Sequence, residues 1–583
     1  MLKSKLEKIL LKTQKPSRYT GAEPGAVVKN SDEISVRFAF CFPDTYEIGM
    51  SHLGGKIIYG LLNNTDYIWC ERVFAPWLDF AELMYENDIP LYSLESYTPL
   101  CEFDIIGFTL QYELSYTNIL KMLDMGKVPL LASERTGLKN LVIGGGPCAC
   151  NPEPLCDFFD LFVLGEGEEV TLELTALYKK AKEQNITKTE FLEQAVQIQG
   201  IYVPSFYDVE YNTNGTVSKI IAKNNTPEKI TKRIIKDLDA VYFPENFITP
   251  YIQIVNDRAM LEIMRGCKRG CRFCQAGFIY RPIREKTPET LCENAKALCE
   301  NTGYDEISLT SLSTSDYTKL EPLLNEILDY TDKNKINLSL PSLRIDNFPP
   351  ELLEKILKVR NSGLTFAPEA GTQRLRNVIN KNVTDDDITN ACKTAFSGGK
   401  NSVKLYFMMC LPTETDEDIK SIIKTAQDVL DIYYNMPNRP KGGITISVSV
   451  SVFVPKPFTP FQWRGQDTLD EILRKQKILT SCNKSKKIKL NYHEPYQSRI
   501  EAALAKGDRR TGKVLLSAYK AGCWMDSWDE CFDYKKWESA FASENLTIDF
   551  YACRKQEYEE TLPWEHLDYM VKREYLMAEN KDK

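Results

Sequence analysis

Short apolar runs of strand length alternate with amphipathic helical stretches along the first third of the chain. Residues 33–43 alternate in polarity and are rich in β-formers, and further strand-like runs follow at residues 103–110, 141–146 and 161–167. Residues 169–184 carry apolar positions at helical spacing. This order predicts a parallel, doubly wound α/β sheet with helices on both faces. In such sheets, ligands bind beyond the carboxyl ends of the strands.

A second alternation of strands and helices begins near residue 258. Amphipathic segments such as residues 416–434 separate six strand candidates. Six β/α repeats in about 200 residues predict a barrel or partial barrel rather than an open sheet. The strand candidates are AMLEIM, EISLTSL, INLSLPSL, GLTFAPE, SVKLYFMM and TISVSVSVFVP.

Changes in composition divide the rest of the chain. The basic N-terminal residues predict an amphipathic helix or arm, and an NTNG turn between alternating runs predicts a hairpin in the connector between the two α/β regions. The last segment is helix-rich. The predicted domains are an arm (1–30), a doubly wound domain (31–190), a connector (191–255), a barrel (256–463) and a helix-rich C-terminal domain (464–583).

The composition is that of an ordinary globular protein, with 43% hydrophobic and 26% charged residues. A net charge of -8 provides no global basic field for nucleic acid, and the sequence contains no recognisable RNA-binding module. No apolar run reaches the roughly 18–20 residues of a membrane span, and the N-terminus lacks the apolar core and cleavage site of a signal peptide. We therefore expect a cytoplasmic protein with no membrane partner. A nucleic-acid partner is not indicated, although the overall charge leaves room for a local basic groove.

Three of the 17 cysteines form a compact motif. Cys267, Cys271 and Cys274 have the spacing C-x3-C-x2-C in a loop that follows the first barrel strand, where barrel enzymes place their chemistry. Three thiolates on one loop suit a four-iron cluster with one iron open to a ligand. The alternative, structural zinc, lacks an obvious fourth ligand nearby. The basic residues of the loop, which should lower the thiol pKa values and balance the charge of a cluster, are Arg265, Lys268, Arg269 and Arg272.

This triplet and the six repeats resemble the core of radical S-adenosylmethionine (SAM) enzymes over residues 258–463. The resemblance implies a [4Fe-4S] cluster on the three cysteines, with the amino and carboxylate groups of SAM on the open iron. Reductive cleavage of SAM would give methionine and a 5′-deoxyadenosyl radical, with the electron coming from a protein such as flavodoxin or ferredoxin. Phe273, the aromatic residue before the third cysteine, is a candidate SAM contact.

The resemblance implies further SAM contacts at strand ends. Ser311 and Ser313 lie where the family has a glycine-rich stretch that meets the amino group of SAM. Arg344 is a candidate partner for the SAM carboxylate, and Glu369 lies in a segment whose acid contacts SAM. Ordinary strand-end capping is the alternative for each. Cys410 stands where glycine is common in the motif near adenine.

The doubly wound domain ahead of this core resembles the B12-binding domain of one branch of the superfamily. The B12 fingerprint is D-x-H-x-x-G, and this chain has DTYEIG, with tyrosine in place of the histidine that binds cobalt. Many radical SAM relatives bind cobalamin without that histidine, so cobalamin is a possible cofactor. The later small residues match positions that admit its nucleotide tail, although any doubly wound sheet needs such tight turns. The candidate cobalamin contacts are Asp44, Tyr46, Gly49, Thr109, Gly144, Gly145 and Gly146.

Other motifs have structural interpretations beside functional ones. We expect His52 to cap a helix or to pack, and Cys148 and Cys150 to pack rather than to bind a second metal. Residues 506–512 (KGDRRTG) have two interpretations, an anion site and a solvated helix face. The sequence favours the solvated face. Together with PSRYTGAE and LPWEHLD they resemble a bacterial family whose genes often accompany a second, radical SAM-linked protein, which implies that protein as a partner.

We predict a radical SAM enzyme whose leading reaction is cobalamin-assisted radical methylation or a related modification. One alternative is a cobalamin-independent deoxyadenosyl-radical enzyme with a vestigial B12 domain. The other is a non-catalytic iron–sulfur redox or scaffold protein. The sequence identifies neither the substrate nor a residue that acts on it.

Overall fold

The N-terminal domain is built on one six-stranded sheet in the computed structural model, which describes residues 2–223, 225–341, 364–437, 439 and 443–582. The strands are β1 (Val36–Phe42), β2 (Ile68–Phe74), β3 (Ile105–Thr109), β4 (Leu141–Gly145), β5 (Leu161–Val163) and β6 (Ile201–Tyr202). Their order is β2-β1-β3-β4-β5-β6, and β6 alone is antiparallel to its neighbour. β3 is buried at every position, as expected for a central parallel strand covered on both faces. The doubly wound prediction is confirmed, but β6 extends the sheet beyond residue 190.

The predicted arm packs onto this sheet instead of extending away from it. Leu6, Ile9 and Tyr19 are buried in the same apolar core as the central strands. His52 begins the third helix, and its Nδ1 accepts a hydrogen bond of 3.0 Å from the Gly55 N–H, which confirms the expected cap. The helices are α1 (Leu2–Leu10), α2 (Tyr46–Met50), α3 (Leu53–Asn63), α4 (Leu78–Glu86), α5 (Tyr116–Met125), α6 (Gly167–Gln184) and α7 (Lys188–Ala195).

The connector forms the predicted hairpin. Strands β7 (Tyr207–Tyr211) and β8 (Val217–Ala222) are antiparallel and flank the NTNG turn. The short strand β9 (Ile230–Thr231) pairs with a strand of the C-terminal domain.

All six predicted barrel strands form. They belong to two parallel sheets, β10-β13-β14 and β15-β16-β17-β18, and residues 342–363 between them fall outside the described ranges. The last strand, β18, was not predicted, because the lysines of residues 484–489 indicate exposed charge and mask the alternation of Ile488, Leu490 and Tyr492. The strands are β10 (Ala259–Glu262), β11 (Met264–Arg265), β12 (Arg284–Glu285), β13 (Glu306–Thr310), β14 (Asn337–Ser339), β15 (Leu364–Glu369), β16 (Ser402–Met409), β17 (Thr445–Val452) and β18 (Ile488–Tyr492).

Helices cover the outer side of these strands. Capping boxes begin two of them: Thr384 with Asp387, and Thr415 with Asp418. The helices are α8 (Ala276–Ile279), α9 (Pro288–Thr302), α10 (Leu320–Asn334), α11 (Gln373–Val378), α12 (Asp385–Ser397) and α13 (Asp416–Asn435). In the described part of the chain, no helix is both long and apolar enough to cross a membrane.

The C-terminal region is helical, as predicted, and shares its core with the N-terminal domain. Val514, Leu515 and Trp537 belong to the same buried cluster as the strands of the first sheet. The elements are α14 (Leu469–Cys482), α15 (Pro495–Ala505), α16 (Thr511–Lys520), α17 (Tyr534–Ser543), α18 (Ile548–Ala552), β19 (Leu567–Asp568) and α19 (Arg573–Glu579).

Residues 506–512 lie at the contact between the C-terminal and N-terminal domains. This position contradicts the interpretation of their charge as an anion site and also its interpretation as a solvated helix face. Lys506 is buried, and its Nζ donates to the carbonyl oxygens of Arg464 and Arg554. Arg509 pairs with Glu153 at 3.0 Å. Arg510 is satisfied by Asp508 and by the Gly215 carbonyl oxygen. The basic groups therefore hold the chain together, and are neither an anion site nor a solvated face.

Candidate active site

The cysteine loop begins where the first barrel strand ends. β10 ends at Glu262, and β11 pairs with β12 to hold both ends of the loop. Gly266 has φ +91, and a Cβ there would lie 2.8 Å from the Tyr280 carbonyl oxygen. Glycine is required at this turn because the backbone crosses so close to the returning chain.

The three thiols share one neighbourhood. Cys271 is buried, while Cys267 and Cys274 are partly exposed. Burial, then the neighbouring Cys271 and Cys267, raise the pKa of Cys274 to about 11. Within the described ranges, no three His, Cys, Asp or Glu side chains are grouped for a single metal ion. A cubane cluster binds each thiolate to a different iron, and binding keeps the thiols deprotonated, so this donor set fits a [4Fe-4S] cluster.

The basic residues of the loop also have acidic and carbonyl partners. Arg265 contacts Glu262 and Glu168, both at 2.8 Å. Lys268 and Arg269 reach Asp316, and Arg272 donates to the Val378 carbonyl oxygen. A further cation, Lys381 just after α11, lowers the pKa of Cys274, and no sequence pattern indicated it.

The two candidate serines have different positions. Ser311 faces the cavity described below, and its Oγ lies 3.0 Å from the Thr314 hydroxyl. Ser313 is buried, and its hydroxyl donates to Asp316 at 2.8 Å. Although burial opposes it, the hydrogen bonds from Arg269 and Ser313 lower the pKa of Asp316 to about 2. Ser311 therefore remains a candidate contact, whereas Ser313 supports the loop.

Glu369 lies at the end of β15, close to the cluster loop. A bulge separates it from Phe366, and its φ of +68 is unusual for a residue with a side chain. The Glu369 carboxylate lies 3.2 Å from the Lys381 ammonium. Since Lys381 also acts on Cys274, the structure brings the predicted acid, an unpredicted cation and the cluster loop together.

The remaining residues of the predicted SAM motifs are Phe273, Cys410 and Arg344. Phe273 packs against an apolar cluster that includes Ala370 and Met408. Cys410 directly follows β16 and has φ +65, a conformation that explains why glycine suits this position. Arg344 lies outside the described residues.

A cavity of about 520 Å³ lies between the carboxyl ends of the six-stranded N-terminal sheet and those of the β10-β13-β14 sheet. One wall comes from α3, α6 and the ends of β3 and β4, and the facing wall from the ends of β10 and β13. Arg265, which starts the cysteine loop, is part of the lining. Other lining residues include Ile57, Ile58, Thr109, Gly144, Gly145, Gly146, Gly167, Thr171, Met260, Glu262, Ser311 and Leu312.

Three cobalamin candidates do not line this cavity. Asp44 accepts a 3.0 Å hydrogen bond from the indole N–H of Trp528 in the C-terminal domain. Tyr46 is buried and donates to Glu23 of the arm at 2.8 Å. Gly49 packs beneath the Phe74 ring. The arm and the C-terminal domain, distant in sequence, thus hold the side chains of Tyr46 and Asp44.

The predicted small residues do line the cavity, together with a polar chain. Gln111 donates to the Thr109 hydroxyl oxygen at 2.6 Å and hydrogen-bonds His52. Burial lowers the pKa of His52 to about 4, against the hydrogen bond that the imidazole donates to Gln111. His52 is therefore neutral, and its Nδ1 is engaged by the Gly55 N–H.

Cys148 and Cys150 are packing residues, as predicted. Both are buried, and burial raises the pKa of each thiol. The Gln275 amide, next to Cys274, lies 3.0 Å from the Cys150 sulfur, so this pair supports the cluster loop from behind.

Comparison with known proteins follows the same division of the chain. A family described as "Radical SAM proteins, N-terminal" matches residues 54–204, and "Radical SAM superfamily" matches residues 261–426. The uncharacterized protein MJ0966 of Methanocaldococcus jannaschii is 31% identical over 432 residues, which cover 73% of this chain and 83% of that protein. The chain belongs to the radical SAM superfamily, within the same family as that archaeal protein.

More distant relatives have named activities. The ribosomal protein uS12 methylthiotransferase RimO of Treponema denticola is 21% identical over 331 residues, 48% of this chain and 68% of that protein. Among solved structures, the radical SAM methyltransferase TsrM from Kitasatospora setae, with cobalamin and a [4Fe-4S] cluster bound, aligns with a TM-score of 0.49 and 11% identity over 72% of this chain and 75% of that one.

The superfamily match makes the chain a radical SAM enzyme. A [4Fe-4S] cluster and SAM are its cofactors, and Cys267, Cys271 and Cys274 are the residues present to hold the cluster. The prediction of an enzyme is confirmed, and the non-catalytic alternative is set aside.

Proposed function

We propose that this enzyme carries out cobalamin-assisted radical methylation, or a closely related group transfer, on a substrate bound at the mouth of the barrel. The cavity between the six-stranded N-terminal sheet and the β10-β13-β14 sheet is the main observation that supports the proposal. It is lined by strand ends of the doubly wound domain and by residues at the base of the cluster loop. A cofactor in it would contact both domains at once.

The residues of the first wall suit a bulky ligand with an inserted tail. Gly144, Gly145 and Gly146 leave the end of β4 without side chains, and Gly146 has φ +115. Ile57 and Thr171, on facing helices, form the sides of a slot over the sheet. The chain would hold cobalamin here without a cobalt ligand from Tyr46, which hydrogen-bonds to Glu23 instead.

The residues near the cluster loop suit the amino acid part of SAM. When bound, the cluster and SAM supply reductive cleavage of the sulfonium, and cobalamin supplies a carrier for the methyl group. Glu369 offers an acceptor for an ammonium group, and Lys381 offers a donor for a carboxylate. Both side chains are largely shielded from water, which strengthens such contacts.

A second candidate function is cobalamin-independent deoxyadenosyl-radical chemistry. The orientation of Asp44 and Tyr46 favours it, because these fingerprint residues serve the contacts of the arm and the C-terminal domain. In that case the cavity holds the substrate itself.

The proposal includes two protein partners. A flavodoxin or ferredoxin would deliver the electron, and a radical SAM-linked protein is the second expected partner. The name of the methylthiotransferase relative supports transfer of a one-carbon-containing group. The substrate of this chain is left open.

Anaerobic reconstitution tests the proposal. The protein is loaded with iron, sulfide and hydroxocobalamin, desalted, and analysed for iron and cobalt. We expect about four irons and about one cobalt per chain. Gly145→Val should retain the iron and lose most of the cobalt. A Cβ at Gly145 makes only ordinary contact with Val163 at 3.6 Å, so the fold tolerates it while the added methyl groups occupy the cavity wall.

Gly137→Val is the matched control, because a Cβ at Gly137 meets nothing within 4 Å. It should bind iron and cobalt like the wild type. Wild-type protein that binds iron but no cobalt would reject the cobalamin proposal and leave the second candidate. Full cobalt binding in Gly145→Val would place cobalamin elsewhere.

A further inference from the structure

A second cavity, of about 570 Å³, lies on the other side of helix α3. Lys56, Tyr59, Gly60 and Asn63 line it, and their spacing of three and four residues places them on one helix face. Ile57 and Ile58, on the opposite face, line the first cavity. The second cavity is closed by the connector around residues 242–248 and by Gly25 and Val27 of the arm.

The walls of this cavity are largely aromatic. Tyr59 and Phe74 contribute from the N-terminal domain, and Tyr242, Phe243 and Phe247 from the connector. The volume is within the range of small-molecule sites, roughly 300–1,000 Å³. Such walls suit a flat or apolar molecule.

Lys56 is the charged group that lacks a counter-ion in this cavity. Its Nζ is buried and has no hydrogen-bond partner among the described residues. It lies 4.4 Å from the centre of the Phe247 ring. Burial lowers its pKa to about 8, with Asp257 acting against this from a distance, so the group is still mainly an ammonium at neutral pH.

The other charges of the lining are satisfied or exposed. Arg72 is held by Glu95 at 2.6 Å and by Glu23 at 2.8 Å. Glu245 lies on the exposed rim. A cation–π contact offsets only a small part of the free energy needed to bury an ammonium group. An anion in the cavity would supply the missing partner.

We propose that this cavity binds a small molecule with an aromatic or otherwise apolar body and one anionic group, a carboxylate or a phosphate, that forms an ion pair with Lys56. The site is separate from the cluster and from the cobalamin proposal, since it lies across α3 and shares only Phe40 with the first cavity. Its occupant is therefore expected to bind whether or not the first cavity is filled.

Pyridoxal 5′-phosphate is a suitable probe, because it is an aromatic anion whose aldehyde condenses with an amine to give an imine and water. The reconstituted protein is treated with the probe and cyanoborohydride, which reduces the imine to a stable amine, and labelled lysines are located by peptide mapping. Lys139 and Lys420 are internal controls, since both are surface lysines about half exposed to solvent and neither lines the cavity.

We expect the stronger competitor, at saturation, to slow labelling of Lys56 at least about tenfold and to leave both controls unchanged, because an ion pair of about 1.4 kcal/mol keeps the Lys56 amine protonated and covered. Inorganic phosphate and benzoate are the two competitors, and the stronger one identifies the anionic group. Equal slowing of all three lysines would show that the anion acts on the probe alone, and would overturn the proposal. Labelling of Lys56 that neither anion suppresses would also overturn it.

Lys56→Gln provides a second readout. The variant should lose the increase in melting temperature that the stronger competitor gives the wild type. Its own melting temperature should not fall, since an uncompensated buried charge has been removed. Equal stabilisation of both proteins by phosphate and by benzoate would contradict the proposal.

Discussion

One loop follows β1 of the N-terminal sheet, and another follows β10 of the β10-β13-β14 sheet. The side chains of these two loops have opposite orientations. The loop after β10 presents its cysteines to a common site, whereas residues 44–49 after β1 turn Asp44 and Tyr46 away from the cavity. Both loops lie at carboxyl ends of strands, where ligands are expected. The difference comes from what packs on them: the arm and the C-terminal domain contact the loop after β1 through Glu23 and Trp528. The position of a loop in a parallel sheet predicts the edge at which a ligand binds. The tertiary contacts of the loop determine which of its side chains face the ligand.

The largest expected effect is that of Cys271→Ala. Removing one of three thiolates should abolish iron binding and SAM cleavage, measured as iron content and 5′-deoxyadenosine. Cys392→Ala, which changes a cysteine buried in the apolar core around β16 and β17, is the matched control and should retain iron. Wild-type deoxyadenosine formation by Cys271→Ala would remove the cysteine loop from the site.

Lys381→Gln tests the cation that the sequence did not indicate. Loss of a largely shielded charge beside Glu369 should lower kcat/KM for SAM cleavage about 10- to 100-fold, because charge-assisted contacts are worth about 1.5–3 kcal/mol. The measurement is the rate of 5′-deoxyadenosine formation at saturating reductant. Lys381→Arg should recover part of the loss, and an unchanged rate in Lys381→Gln would assign Lys381 to the fold alone.

His52→Asn tests the residue that faces the cavity just after residues 44–49. The folded-state pKa of His52 is about 4, below the ordinary 6.5, so its contribution to stability is present above pH 6.5 and lost as pH falls through 4. Asparagine retains the helix cap without titrating. The wild type should lose up to about 1.4 kcal/mol more unfolding free energy per pH unit across this window than the variant does. Parallel denaturation curves across the window would show that His52 does not stay neutral.

Tyr46→Phe should have the smallest effect. It removes one buried hydrogen bond to Glu23, for a loss of about 1–3 kcal/mol in unfolding free energy. Iron and cobalt contents should match the wild type. Loss of cobalt in this variant would mean that residues 44–49 contact the cofactor, and the contrast between the two loops would fail.

The sequence was most informative where a local pattern is repeated or chemically distinctive. All six barrel strands and the NTNG hairpin were predicted, because alternation and turn residues act over short distances. β18 escaped detection because lysines precede and interrupt its short alternation of apolar residues. The role of Arg509 was not predicted because its partner Glu153 lies more than 350 positions away in the sequence. Lys381 was missed because its partner Glu369 is also separated from it in the sequence, although by fewer positions.

Anomalous X-ray diffraction at the iron and cobalt edges, from crystals of the reconstituted enzyme, tests the central claim most directly. The account predicts an iron peak at Cys267, Cys271 and Cys274, and a cobalt peak in the cavity lined by Thr109 and Gly145, with no bond from cobalt to Tyr46. A cobalt peak outside that cavity, or bound to Tyr46, would contradict the account.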